Sequence, residues 1–253
     1  PVAKEIIHNG GHSLGSYAQS AYTFLYDTTN FSVKYSPNHR TGPRQCLQDG
    51  TYLNSIGAAA FVHGNTAHGS ISPGGFKDGY TRIGLADPIG SPWLFDSAKE
   101  EWEFARPLGN QFGTTQHAPV AYDSSSDAMV SLGDSLILYN PRTNKVSYRA
   151  LPDELKGRYY YGIAADPVLG KIVVFGGRSV KLSLVEADYD LKVYNDTWIY
   201  DVRLDSWKKI TSAVNPPKGM PGYDFVKFSM VYENINGRIL LRVVPINKFS
   251  KDS

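Results

Sequence analysis

The sequence predicts an all-β fold built from repeated four-stranded antiparallel sheets. Composition is the first sign: aromatics make up 13% of the 253 residues, with 17 Tyr, and 24 Gly are available for tight turns. The second is a cadence that recurs four times. It runs through "YTFLYDTTNFSVKYSP" from Tyr22, "PWLFDSAKEEWEFARP" from Pro92, "LILYNPRTNKVSYRALP" from Leu136 and "DTWIYDVRLDSWKKITS" from Asp196. The third is negative, in that no stretch combines capping residues with a sustained 3.6-residue period.

Each copy of the cadence places an aromatic residue before an Asp or Asn, then a short polar stretch. An apolar residue follows six positions after the Asp or Asn. The pairs are Asp27 and Val33, Asp96 and Trp102, Asn140 and Val146, and Asp201 and Trp207. Two alternating runs around a turn whose Asp or Asn caps its own backbone describe an antiparallel hairpin. A second hairpin precedes most copies. "GIAADPVLGKIVVFGG" from Gly162 is the clearest, "APVAYDSSSDAMVSLGD" from Ala118 follows the same plan, and "LQDGTYLNSIGAAAFVHG" from Leu47 is looser. "FSMVYENINGRILLRVV" from Phe228 is a trailing hairpin, and "KEIIHNGGH" at the start reads as the second half of one.

The unit is therefore four strands, a to d. The anchors at 27, 96, 140 and 201 have one interval that matches the roughly 40–50 residues of a propeller blade. The longer intervals place their excess between strands b and c, in two long loops. A lone four-stranded sheet leaves both faces wet; stacking sheets radially buries them, and ring closure protects the edges. The expected architecture is a single β-propeller over 1–253, with four to five blades or as part of a larger ring. A β-sandwich fits the four-strand repeat less well.

At "KIVVFGG" followed by "YNDTWIYDVRLDSWKKI" the chain resembles kelch repeats: a glycine pair closes strand b, an aromatic sits in strand c and a Trp begins strand d. "EIIHNGGHS" repeats the glycine pair, whereas the second and third units carry "VHG" and "LGD" in its place. The resemblance implies a propeller of the kelch and galactose-oxidase type.

Other totals bound the function. A net charge of +2 gives no bulk attraction for nucleic acid. No apolar run is long enough to span a bilayer, and no signal peptide is visible; an opening at Pro1 is compatible with a removed leader. One cysteine, Cys46, excludes an internal disulfide. "NFS" at Asn30 and "NDT" at Asn195 fit the glycosylation sequon.

In such a blade the a–b and c–d turns share one end, and the b–c and d–a connections share the other. The first set is bland. The second collects His12, His39, Arg40, Arg44, His63, His68, Lys77, Tyr80, Arg82, His117, Arg158, Tyr159, Arg178 and Lys181. Five of the six histidines fall there, and His8, within a strand, is the exception. Loops are polar in any protein, but the opposite end has loops too and no histidine. Functional residues gather on loops above a rigid scaffold.

Arg, His and Tyr together suit an anionic ligand. The set resembles that of propeller polysaccharide lyases such as ulvan lyases. That resemblance implies β-elimination on a uronate-containing polysaccharide: a carboxylate is neutralised, a base removes the C5 proton and an acid protonates the leaving oxygen. His12 or His63 is the expected base or neutraliser, and Tyr80 the acid or base. His39, Arg44, His68, His117, Arg158, Tyr159 and Arg178 are the expected substrate contacts. This chemistry requires no cofactor and implies a secreted or periplasmic protein. A structural metal ion among His12, His63 and His68 is another use of the imidazoles, though "HGNTAH" is no specific ligand spacing. Two other functions fit the scaffold. One is a non-catalytic kelch-type module that binds protein or glycan. The other, weaker, is a copper-radical oxidase, for which Cys46 is the only thiol and no matching Tyr–His pair is present.

Overall fold

The computed structural model describes residues 5–9, 23–36, 49–62, 92–105, 107–109, 119–178, 192–211 and 223–247. Within them the regular structure is strand, apart from one 3₁₀ turn at Asp153–Leu155. No described helix is long and apolar enough to cross a membrane.

The sheets follow the sequence units. β1 (Glu5–Asn9), β2 (Thr23–Asp27) and β3 (Val33–Tyr35) form a three-stranded sheet. β4 (Asp49–Leu53), β5 (Ala58–Val62), β6 (Trp93–Asp96) and β7 (Glu101–Phe104) form a four-stranded one in chain order. The next contains β8 (Leu108–Gly109), β9 (Val120–Asp123), β10 (Ala128–Leu132), β11 (Leu136–Asn140) and β12 (Lys145–Arg149), ordered β8-β12-β11-β10-β9. β13 (Gly162–Asp166), β14 (Lys171–Arg178), β15 (Val193–Asp201) and β16 (Ser206–Ile210) again run in chain order. β17 (Tyr223–Glu233) and β18 (Arg238–Asn247) form a hairpin. The sequence pattern misses β8. This two-residue strand pairs with β12 in parallel, too short to carry a periodicity.

Of the nine described hairpins, β10–β11 turns through residues 133–135, where the Gly133 N–H donates to the Ser135 carbonyl, and one other turn closes the remaining eight. The last residue of the first strand pairs with the residue five positions on, as in Asp96 with Glu101, Asp166 with Lys171 and Asp201 with Ser206. The fourth residue after it lies in the left-handed region: Phe31, Gly57, Glu100, Asp127, Asn144, Gly170, Asp205 and Gly237. In all of these but the turn that starts at Leu53, an Asp, Asn or Glu at the start of the turn caps the exposed amides. Asp27 Oδ1 accepts from the N–H of Thr29, Asp96 Oδ1 from Ala98 and Lys99, and Asp201 Oδ1 from Arg203 and Leu204. Asn140, Asp166 and Glu233 do the same. In three hairpins the preceding Tyr donates its hydroxyl to the left-handed Asp or Asn: Tyr122 to Asp127 (2.7 Å), Tyr139 to Asn144 (3.2 Å) and Tyr200 to Asp205 (2.7 Å). Burial and the Asp205 carboxylate push the Tyr200 phenol far above its usual range, so it remains a donor.

This geometry explains the six-residue interval. The residue before the anchor and the residue six after it are cross-strand partners, as in Tyr26 with Val33, Phe95 with Trp102 and Tyr200 with Trp207. The ring centroids of the two aromatic pairs are 5.0 and 4.9 Å apart. Such cross-strand pairs are the unit of sheet stabilisation.

The chain forms two compact units, residues 1–117 with 139–146, and residues 118–138 with 147–253. In the first, Leu25, Ala59 and Phe95 form a buried cluster with Ile7, Tyr52, Phe61 and Trp102 against it. Trp102 Nε1 donates to the buried Thr23 Oγ1 at 3.1 Å. In the second, the β13–β16 sheet is covered on both faces. Ile163, Ile172, Val174, Trp198 and Tyr200 pack against Ala121, Val130, Leu132, Leu136 and Leu138 on one side. Phe175 meets Phe228 on the other, with Met230, Leu241 and Val243. Burial on both faces accounts for the near-continuous apolar runs of β13 and β14. At Gly162 a Cβ would meet Met230 Sδ at 2.7 Å, so β13 approaches β17 as closely as only glycine allows.

The turn acids differ in burial, and so should the cost of losing them. Asp123 is fully buried and takes hydrogen bonds from the amides and hydroxyls of Ser125 and Ser126, while Asp27 serves an exposed turn. Asp123→Ala is expected to destabilise by about 2 kcal/mol and Asp27→Ala by about 0.5–1 kcal/mol. Urea unfolding of the two variants checks the order.

Candidate functional site

The most densely bonded polar cluster among the described residues lies at one end of the β13–β16 sheet. It sits opposite the turns at 167–170 and 202–205. This is the end where the b–c and d–a connections meet.

A glycine pair builds it. Gly176 and Gly177 both have positive φ, 66° and 97°. At Gly176 a Cβ would meet the Phe228 ring at 2.8 Å and the Tyr194 carbonyl oxygen at 3.0 Å. The register shifts here: Phe175 pairs with Thr197 but Gly177 with Tyr194, so Asn195 and Asp196 together oppose Gly176. A bulge of this kind re-aims the side chains of the strand that carries the extra residue. Beyond it the backbone resumes, and Arg178 exchanges two hydrogen bonds with Tyr159, at 3.0 and 2.9 Å.

Asp196 is where the bonds converge. Arg158 grips it bidentately, Nη1 to Oδ1 at 2.6 Å and Nη2 to Oδ2 at 3.0 Å. Trp198 Nε1 donates to Oδ2 at 2.9 Å, and Lys209 Nζ lies 3.3 Å from the same oxygen. Arg158 also donates from Nε to the Glu154 carbonyl and from Nη1 to the Gly176 carbonyl. Its guanidinium stacks on the Tyr194 ring, 3.8 Å from the centroid. The Arg158 side chain is only 1% exposed and that of Asp196 17%. Burial alone would raise the Asp196 pKa. The hydrogen bonds from Arg158, Trp198 and Lys209, with the Arg158 charge, outweigh it and hold the carboxyl well below the usual carboxylate range.

A second cation–aromatic pair stands beside the first. Arg178, buried at the end of β14, places its guanidinium 3.8 Å from the Tyr160 ring centroid. Tyr160 has φ of 56°, and its carbonyl accepts from the Phe228 N–H at 3.4 Å. Burial lowers the Arg178 pKa and raises that of Tyr160, each opposed by the other's presence.

Of the expected site residues, Arg158, Tyr159 and Arg178 are thus brought together on one end of one sheet. His12, His39, Arg44, His63, His68, Tyr80 and His117 lie outside the described residues, as does Cys46. The carboxylate that Arg158 holds in this structure is Asp196, an internal one. His8 lies within β1, as its alternation implies, edge-on to Phe24. Among the described residues no group of three or more His, Cys, Asp or Glu is placed to hold a metal ion. Sequence reasoning missed Asp196, Tyr160, Tyr194 and Lys209. The glycine pair was their only signal, since its two positive-φ residues are what set Asp196 against Arg158.

No protein family matches this chain, and neither does any curated protein.

Two outcomes test the cluster. Asp196→Asn leaves the buried Arg158 charge uncompensated and is expected to cost about 3 kcal/mol. The carboxyl is depressed in the folded chain, so its contribution is complete above the unfolded value of about 3.9 and is lost as pH falls below it. Thermal melts between about pH 5 and pH 2 should therefore fall more steeply for the native chain than for Asp196→Asn. Gly176→Ala is expected to cost about 1–3 kcal/mol in urea unfolding, through backbone strain and the Phe228 contact.

Proposed function

We propose that this chain forms blades of a kelch-like β-propeller whose loop rim binds an acidic polysaccharide and cleaves it by β-elimination. Two features support the propeller. The β13–β16 sheet packs between neighbours on both faces, and its first strand, β13, lies against both β9 and β17, the first strands of the adjoining hairpins. First strands side by side are what radial stacking produces.

The observation that carries the functional reading is the convergence of Arg158, Tyr159 and Arg178 at the connection end of one sheet. The residues named for chemistry belong to connections of the same kind. In the reaction a cationic side chain neutralises the uronate carboxylate. His12 or His63 then removes the C5 proton, and Tyr80 protonates the leaving C4 oxygen as the C4–C5 double bond forms. Arg44 and Tyr159 serve the polymer, and Arg178, buried against the Tyr160 ring, positions that loop. Arg158, committed to Asp196, holds the Glu154 and Gly176 carbonyls and so fixes the approach to Tyr159 and Tyr160. A protein with this activity works outside the cytoplasm, where such polymers occur.

One observation favours a second reading, a non-catalytic glycan- or protein-binding module. Arg158 spends its guanidinium internally, as a rigid platform requires and a substrate clamp does not.

Elimination leaves a conjugated uronate that absorbs in the ultraviolet. Incubation with a series of uronate-containing polysaccharides is expected to raise that absorbance with at least one of them. The combined substitution of His12, His63 and Tyr80 by Ala should abolish it. Absence of any signal, with binding retained, would select the module instead.

A further inference from the structure

The β1–β3 sheet and the β17–β18 hairpin expose apolar surface of a kind that the sheets between them bury. Ile6, Tyr26 and Val33 are cross-strand partners and form one row over β1, β2 and β3. They are 60%, 39% and 53% exposed. The β13–β16 sheet has the same row at the same positions. Ile172 pairs with Tyr200, which precedes the turn acid Asp201, and Tyr200 pairs with Trp207, six positions after that acid. Ile172 and Tyr200 are only 0% and 1% exposed, in the cluster that they form with Ala121, Val130 and Leu138 of the preceding sheet. The β4–β7 sheet repeats the arrangement. Ala59, Phe95 and Trp102 form its row, and the paired Ile7 and Leu25 pack on it from β1 and β2.

The surface that does the covering stands exposed as well. In the preceding sheet it includes the cross-strand pair of Ala121 and Val130, with Ala121 two residues before the turn acid Asp123. The β17–β18 hairpin carries Val231 and Leu240 in that place. The two are paired, and Val231 stands two residues before Glu233. They are 59% and 43% exposed. Polar pairs border them on the same face, Ser229 with Arg242 on one side and Glu233 with Arg238 on the other. The opposite face of the hairpin, with Phe228, Met230, Leu241 and Val243, is the one packed with Phe175. Stacked repeats that face open water carry polar outer faces on their terminal units. Here one outer sheet shows the row that is covered elsewhere in the chain, and the other shows the pair that covers it.

We propose that the β1–β3 sheet of one copy of this chain receives the β17–β18 hairpin of a second copy, with Val231 and Leu240 seated on the row of Ile6, Tyr26 and Val33. The contact repeats between copies what the chain makes twice within itself, which is why the occupant is another copy. The two faces differ, so the contact is heterologous: copies add head to tail, and the assembly is finite where it closes as a ring. The inference rests on the stacked-sheet part of the proposed reading and is independent of the lyase chemistry.

Sedimentation velocity of the full chain over a concentration series tests the contact. The native chain is expected to pass from monomer to a larger species as concentration rises. Tyr26→Lys puts a charge in the receiving row, and Val231→Lys puts one on the seated hairpin. Each charge would be buried without a partner in the contact, so each variant alone should remain monomeric. An equimolar mixture of the two should form a species of twice the monomer mass and none larger, since one intact face of each remains and the outer faces of the pair are blocked. Both positions are exposed in the single copy, and circular dichroism checks that each variant keeps the native fold. Val33→Lys and Leu240→Lys replace a variant that fails to fold. A native chain that stays monomeric at its highest soluble concentration overturns the proposal, as does unchanged association in either folded variant or a mixture that stays monomeric. A native monomer that loses stability with both lysines assigns the two faces to another cover and overturns the second copy. Association without elimination activity upholds the contact and removes the lyase; activity in a monomeric chain does the reverse.

Discussion

The four-residue turn closed by a left-handed residue sets the register of eight of the nine hairpins described. Each turn pairs its first residue with the one five positions later, and from that pairing the faces of both strands follow. A slip of one residue would turn Ile172, Val174, Trp198 and Tyr200 away from the cluster they form. The left-handed backbone disfavours any residue with a Cβ by about 1–2 kcal/mol. At seven of the eight positions the chain meets this in three ways, Phe31 being the exception. Gly57, Gly170 and Gly237 carry no Cβ; Asp127, Asn144 and Asp205 belong to the types that tolerate the region and accept a Tyr hydroxyl; Glu100 accepts from Lys34 at 2.7 Å. The capping acids satisfy the turn amides in addition.

Regular hairpins at one end leave irregular backbone to the other. There the glycine pair breaks the ladder between β14 and β15, and the bulge turns Asp196 into a position where one arginine can hold it with both nitrogens. Arg158 arrives from the connection after β12, Asp196 from β15 and the Gly176 carbonyl from β14, so a single guanidinium ties three segments. A buried ion pair of this kind contributes little net stability when compared with apolar packing, but its removal by halves is costly. Its effect is on geometry: it fixes the loop bearing Tyr159 and Tyr160 against Arg178.

Much of the fold was legible because the turn writes itself into the sequence twice, as a capping acid and as a cross-strand partner six residues on. The intervals at Asp27, Asp96, Asn140 and Asp201 correspond to hairpins, and the looser "LQDGTYLNSIGAAAFVHG" contains one as well, with Gly57 in the left-handed position. The short parallel strand β8 was illegible, since two residues have no period. The end of the sheet that three of the candidate residues occupy was legible by class of connection. Arg158, Tyr159 and Arg178 were placed on one end from strand alternation alone, and the backbone bridge between Tyr159 and Arg178 puts them there.

What the sequence determined by itself is local: which segments are strands, where they turn and which end each connection occupies. All of it follows from period-two alternation and turn chemistry acting over a few residues. What only the tertiary structure decided is the fate of the polar side chains. Arg158 and Asp196 are 38 positions apart, and nothing in either neighbourhood marks them as partners. Their pairing depends on a bulge in one strand and on the path of a loop from another sheet. Burial then turns an arginine expected to meet a ligand into one that holds the protein's own carboxylate.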